Sequence, residues 1–367
     1  MQYTRVEQGA LEGFCQQVFR AHGLAAPDAE LAARVLVNSD ARGIPSHGVA
    51  RLPRYVRGLK AGSILTDAKP KVVHETPLSL VLDAQGGMGT TVSQQAMDAV
   101  IAKACEHGAG FATVRDSNHF GIAAWYAMQA LPHDLIGIAM TNTAALGVPT
   151  HGRQCMFGTN PIAFAAPADR EKAFVLDMST TAVTRGKLEV YGRQNTPLPT
   201  GWAAAPDGGD AHDAPSLLES MNIYAGGGLH PLGGAGTEFG GHKGYGLAVM
   251  VDILCGALAG HGFGRHLHDT PGSTGRVGHF FAAFRIDLFR PADEFRQAMD
   301  QLLSDLRTSE PAAGHDQVWY AGLKEIQAQE AASREGVPVE TGVIESLQAL
   351  GEACGVTLAG VKEPSHA

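Results

Sequence analysis

Apolar residues recur at helical spacing along much of the chain. Leu11, Phe14, Cys15, Val18 and Phe19 fall three and four apart, which predicts a helix over 5–22 with one apolar face. Pro27-Asp28 opens a second helix over 27–41, with Leu31, Val35 and Leu36 inward; proline costs no hydrogen bond in a first turn. Gly43–Gly48 interrupts the pattern, and a helix carrying Arg51, Arg54 and Tyr55 follows. Val92, Ala96, Ala99, Val100 and Ala104 predict a helix over 90–107. Helical patterning returns at 117–131, 241–260, 291–307, 317–335 and 339–349. Short β-like runs stand at 71–75, 78–83, 111–114, 135–141, 162–166, 173–176 and 278–286. Between them, 192–240 and 261–277 are rich in glycine and polar residues and read as long loops. Strands and helices mix without a strict βαβ rhythm, so the expectation is an α/β chain with a mixed sheet and flanking helical segments.

Composition adds one anomaly. Glycine is 46 of 367 residues, well above the usual ~7%. Glycine supplies backbone that turns with positive φ or lies close to a ligand, so its clustering is informative. The formal net charge is −9, which argues against a general nucleic-acid binder. Five cysteines at 15, 105, 155, 255 and 354 form no CxxC pair and fit a reducing cytoplasm. The N-terminus lacks a signal-peptide core. Leu247–Ala259, broken by Asp252, is too short to span a bilayer and reads as a buried helix. No membrane or nucleic-acid partner is expected.

Glycines bracket five polar clusters, as loops around a shaped pocket would. The first is Ser46-His47-Gly48 with Arg51 and Tyr55. A helix starting at His47 would put Arg51 at i+4 and Tyr55 at i+8 on one face. Histidine can move a proton and an arginine fork can hold a carboxylate, so this cluster fits proton transfer beside an anchored acid. The plainer alternative is a capped helix start with surface arginines. The second cluster is Ser117–Gly121, with His119 following a strand; an ordinary capped helix explains it equally. The third, Gly158-Thr159-Asn160, offers hydrogen bonds but also simply makes turns. The fourth, Asp177-Met178-Ser179-Thr180-Thr181, ends an apolar run. Its aspartate could orient a histidine or contact a ribose, and its hydroxyls could hold phosphate or merely cap a helix. The fifth, Gly233–Gly246, holds His242-Lys243 on a glycine-rich loop but misses the spacing of both the dinucleotide fingerprint and the P-loop. His261, His266 and His268 have no ligand-like spacing, so no metal is expected.

Taken together, GIPSHGVARLPRY (43–55), DSNHFGIAAWYA (116–127), FGTNPIAFAAP (157–167), LDMSTTAVTRGKLE (176–189) and GGHKGYGLAVMVDIL (240–254) resemble the non-Rossmann, type 2 malate/L-lactate dehydrogenase family, in family order. The resemblance implies a mixed, largely antiparallel sheet in a non-Rossmann cofactor domain with a flanking helical domain. The expected division is an N-terminal helical segment (1–75) packing with a C-terminal one (291–367) around an α/β cofactor domain (76–290). The implied activity is NAD- or NADP-dependent hydride transfer at C2 of a small 2-hydroxy or 2-oxo acid, by a homodimer. By likeness, His47 donates or accepts the proton and lies by the cofactor, Arg51 anchors the carboxylate, and His119 lines the pocket or serves as the base. Asp177 is expected to orient an imidazole, and Ser46, Tyr55 and Thr159 to meet the substrate. Gly158, Asn160, Asp177, Met178, Ser179, Thr180, Thr181, His242 and Lys243 are expected at the cofactor. Gly314, His315 and Asp316 stand where many members read Pro-Gly-Glu, at the adenine end. The alternatives are a reductase of cyclic 2-imino acids, a non-catalytic small-molecule binder, and a metallohydrolase using the loop histidines.

Overall fold

The computed structural model describes residues 2–267 and 276–362. In chain order the elements are β1 (Tyr3–Val6), α1 (Gln8–Ala21), α2 (Ala26–Ala41), α3 (Leu52–Lys60), β2 (Lys71–Glu75), β3 (Ser79–Asp83), α4 (Gly89–His107), β4 (Ala109–Ser117), α5 (Ala123–Met128), β5 (Leu135–Thr141), β6 (Ile162–Ala166) and β7 (Phe174–Met178). They continue with α6 (Arg185–Arg193), β8 (Ala203–Ala204), α7 (Ala214–Asn222), β9 (Gly228–Leu229), α8 (Gly241–Asp252), β10 (Val277–Arg285), α9 (Ala292–Thr308), α10 (Leu323–Glu335), β11 (Val337–Glu340) and α11 (Thr341–Glu352).

The main sheet has seven strands in the order β2-β3-β4-β10-β5-β6-β7. β3 and β4 run parallel, and every other neighbouring pair is antiparallel. The mixed, largely antiparallel sheet implied by the resemblance is therefore the one the chain builds. Such a sheet lacks the strand-order reversal among parallel strands that makes a Rossmann nucleotide crevice. β10 enters the middle of the sheet, with Phe281 opposite Ala112 on one side and Ala139 on the other. α4 covers the sheet with Val92, Ala96, Met97, Val100 and Ala104, all buried.

A second core joins the ends of the chain. Phe14, Phe19, Leu36 and Leu52 pack with Val337, Ile344 and Leu347. α2 belongs to both cores: Val35 enters the sheet core, while Ala33, Leu36 and Val37 face the helical one. Its last turn is held from two sides, and this is where the first polar cluster begins.

Several elements differ from the sequence pattern. The helix expected from residue 5 begins at Gln8, because Tyr3–Val6 pairs with Val337–Glu340. The same pairing moves the last helix start from 339 to Thr341. That partner is over three hundred residues away, so no local window reveals it. The stretch 192–240 holds α7 and the β8–β9 pair around a small core of Leu188, Leu198, Leu217 and Leu229. The expected 241–260 helix becomes α8 followed by a π-helical turn, Ile253–Ala257. Among the described residues no helix is long and apolar enough to cross a membrane. None of their His, Cys, Asp and Glu side chains group in threes to hold a metal ion. His268 lies outside the described residues.

Candidate active site

The single helix expected from His47 does not form. Two 3₁₀ turns, Pro45–His47 and Val49–Arg51, precede α3 and are separated by Gly48. The cause lies in α2. The carboxylate of Asp40 accepts the Val49 N–H at 2.7 Å, and a Cβ added at Gly48 would land on that carboxylate. The break nevertheless gathers the cluster. Ser46 Oγ lies 2.9 Å from His47 Nδ1, and Arg51 Nε donates to the Ser46 carbonyl at 2.6 Å. Arg51 Nη2 approaches Gly186 at the start of α6, where a Cβ would sit 3.9 Å away.

The second cluster meets the first. The His47 and His119 rings stack at 5.6 Å between centroids and 17° between planes. Tyr55 Oη lies 2.6 Å from His119 Nδ1, and the Gly121 N–H donates to the same nitrogen at 3.3 Å. A backbone N–H can only donate, so Nδ1 is the acceptor and a neutral His119 carries its proton on Nε2. Asn118 fixes this loop by donating from Nδ2 to the carbonyls of Gly86 and Gly87 at 3.0 and 2.9 Å. Gly89, opening α4, is glycine for the same reason: a Cβ there would strike the carbonyls of Asn118 and His119. Behind the loop, Phe120 stacks on His279 at 4.6 Å. Thr141 and Ser117 hydroxyls each lie 2.8 Å from a His279 ring nitrogen.

The electrostatics follow from burial among cations. Burial, then Arg51 and Arg54, lower His47 from its ordinary 6.5 to about 4. Burial first, then His47, Arg54 and Arg51, holds His119 well below the usual imidazole range. Both rings are thus neutral at neutral pH. Burial raises the Tyr55 phenol, so it stays protonated as a donor to His119.

Asp177 departs from its expected role. Its Oδ2 accepts the Ala124 N–H at 2.8 Å and caps α5, and burial raises it to about 6. Ser46 and Tyr55, rather than Asp177, are the imidazoles' side-chain partners. The third and fourth clusters are stitched together. Thr180 donates from both N and Oγ1 to the Thr159 carbonyl, at 2.9 and 3.1 Å. Asn160, fully buried at φ 37°, accepts from Thr143 N and donates to the Ala248 carbonyl in α8. Thr159 N donates to Thr143 Oγ1, and a Cβ at Gly158 would collide with that hydroxyl. Ser179 Oγ and Thr181 Oγ1 donate to the carbonyls of Thr181 and Val183. Met178 pairs with Ile162 at the sheet edge. These bonds bring the 158–160 and 178–181 loops against α8, whose first turn exposes His242 and Lys243. Gly314, His315 and Asp316 are exposed beyond α9, and no described hydrogen bond or ion pair joins them to the other site residues.

Sequence reasoning passed over Asp40 and His279. Each leaves a signal: a carboxylate in register with Ala33 and Leu36 on the buried face of α2, and a lone polar ring in the apolar run GHFFAAFRI.

A nicotinamide dinucleotide fits the donor set. Exposed His242 and Lys243 on a helix N-terminal turn suit a pyrophosphate.

The sequence profile of the malate/L-lactate dehydrogenase family matches residues 6–348. The chain is 39% identical over 355 residues to the malate dehydrogenase of Pyrococcus abyssi, covering 96% of each. It is 36% identical over 301 residues to the L-sulfolactate dehydrogenase of Methanocaldococcus jannaschii, covering 82% of this chain and 83% of that one. The crystal structure of malate dehydrogenase from Entamoeba histolytica superposes with a TM-score of 0.93 at 31% identity, covering 98% of this chain and all of that one.

Proposed function

Because the chain belongs to the malate/L-lactate dehydrogenase family, it is a nicotinamide-dependent oxidoreductase of 2-hydroxy acids, and we propose that its substrate carries two anionic groups. One observation carries this reading. Arg51 and Arg54 both act on the two imidazoles, and Arg185, itself ion-paired to Glu189 at 3.1 Å, adds to the field at Arg51 against Glu189 and the Tyr55 phenol. A site this cationic beside neutral histidines favours a dianion such as malate or a sulfonated analogue over lactate or a cyclic imino acid. The names of the relatives, malate and sulfolactate dehydrogenases, support the same choice.

In this reading a nicotinamide held by these loops would supply the site that takes up or returns the C2 hydride. Arg51 holds the C1 carboxylate, and Arg54 faces the distal anion. Neutral His47 takes the hydroxyl proton as C2 is oxidised. His119, with its proton on Nε2 and Tyr55 behind it, donates a hydrogen bond to the forming carbonyl oxygen. Asn160 and Thr180 hold the cofactor-side loops rather than react. His242 and Lys243, exposed on the first turn of α8, would hold the pyrophosphate. The five free thiols support a cytoplasmic location.

The test is oxidation of NADH and of NADPH against oxaloacetate, sulfopyruvate, pyruvate and Δ1-piperideine-2-carboxylate. The dianions are expected to exceed pyruvate in kcat/KM by about 10²-fold, as the loss of one charged hydrogen bond of about 1.5–3 kcal/mol requires. Preference for the imino acid or for pyruvate would sink the dianion reading.

The partner we propose is a second copy of the chain. Ile253 on the π turn and Leu258 at its C-cap are 54% and 58% exposed, with half-exposed Phe263 packed near Gly256 and Met156 43% exposed. The sequence reads this helix as buried, and a self-complementary apolar face satisfies that pattern. Light scattering is expected to give twice 38.4 kDa for the wild type and 38.4 kDa for Ile253→Asp. A wild-type monomer at micromolar concentration would refute the dimer.

A further inference from the structure

Asp40 stands at the end of α2, 2% exposed, with the Cys15 thiol of α1 within its field. Burying a carboxylate is costly unless it is bonded. Among the described residues, the one hydrogen bond to its side chain is from Val49 N, at 2.7 Å. Its close approach is possible only because residue 48 has no side chain. Gly48 is also the joint between the turn that holds His47 and the turn that holds Arg51. Without the carboxylate, the N–H that opens the second turn would be an unpaired buried donor. Arg51 reaches back across this joint to the Ser46 carbonyl, so the joint sets the spacing between imidazole and guanidinium.

We propose that Asp40 is a positioning residue for the reaction: its carboxylate locks the joint at Gly48 from beneath and thereby fixes His47 and Arg51 relative to one another. It touches neither substrate nor cofactor. The inference rests on the reading of His47 as proton acceptor and Arg51 as carboxylate anchor. An error in joint geometry lowers kcat and raises KM for the acid together, because both groups move. It leaves cofactor affinity alone, since the loops at 158–160 and 178–181 and α8 are built independently of the joint.

The experiment compares Asp40→Ala and Asp40→Asn in the full-length enzyme. It reads kcat and KM for oxaloacetate, the Kd of the reduced cofactor by fluorescence, and thermal unfolding. Asp40→Ala is expected to lose about 10²-fold in kcat/KM, with cofactor Kd within about two-fold. Burial raises Asp40 to about 7 against the Val49 N–H, so the kinetics are read at pH 8, where it is largely ionised; there Asp40→Asn keeps an acceptor but loses the charge assistance, and falls between it and wild type. A folded Asp40→Ala enzyme with wild-type kcat and KM overturns the proposal. So does an Asp40→Asn enzyme as impaired as Asp40→Ala, or a loss that appears in cofactor Kd. Should Asp40→Ala not fold, Asp40→Asn decides alone: an acid-side loss with unmoved cofactor affinity supports positioning, and wild-type kinetics overturn it. His47→Gln runs alongside. If it keeps wild-type turnover, the reading of His47 has failed. If it is inactive while folded Asp40 variants are unaffected, only the role of Asp40 has.

Discussion

Replacing His47 with glutamine is expected to lower kcat by about 10²–10⁴, the range for removing a positioned acid–base group. The side chain stays polar and of similar size, so KM for the acid should move by only a few-fold. His119→Gln, which retains an N–H donor, should cost less. The geometry makes this an asymmetric pair: His119 Nδ1 already accepts from Gly121 N–H, and Tyr55 Oη lies against it, whereas His47 contacts a serine hydroxyl that can serve as donor or acceptor. Equal losses at both positions would refute the assignment. The pH dependence gives an independent readout. Burial and two arginines depress His47 from 6.5 to about 4, so the ring stays a base across the neutral range. In the free enzyme, kcat/KM for hydroxy-acid oxidation should be flat at neutral pH and fall as pH drops through about 4. A limb at the ordinary histidine value would show that the ring is solvated. The same shift acts on stability. A ring with its folded pKa depressed binds a proton more readily unfolded, so stability is lost as pH falls below 6.5.

Arg51→Met is the second large effect. A charge-assisted bond is worth about 1.5–3 kcal/mol, and a forked pair to one carboxylate places the loss in kcat/KM at about 10²–10³-fold. Most of it should appear as a higher KM for the acid. Lysine should recover only part, because it keeps the charge but cannot both reach the Ser46 carbonyl and present a fork. An unchanged acid KM in Arg51→Met, measured at saturating cofactor, would move the anchor elsewhere.

Much of the site was legible because its chemistry is local. Ser46, His47, Arg51 and Tyr55 sit within ten residues, and glycine-bracketed polar stretches flag the loops that converge with them. The geometry was less so. A uniform helix from His47 would have matched the spacing, yet a carboxylate seven residues upstream breaks it into two turns. The gathering survives because Tyr55 reaches His119 from α3 instead of lining up above His47. Asp177 misled for a related reason. A carboxylate at a strand end suits several partners, and which one it takes depends on where α5 begins, a tertiary fact. The strands β3, β5, β6 and β7 were readable from apolar runs, while β1 and β11 were not, since each exists only through the other.

The position of β10 bears on how the protein is made. Its neighbours β4 and β5 end by residue 141, but the strand that joins them begins at residue 277. During synthesis, both inner edges remain unpaired while more than a third of the chain emerges. Open edges of this kind invite pairing with another nascent chain. The sheet closes only after residue 285 leaves the ribosome, and the β1–β11 clasp only after residue 340. Translation speed and chaperone supply over that interval should therefore govern the yield of soluble enzyme more than the stability of the finished fold does.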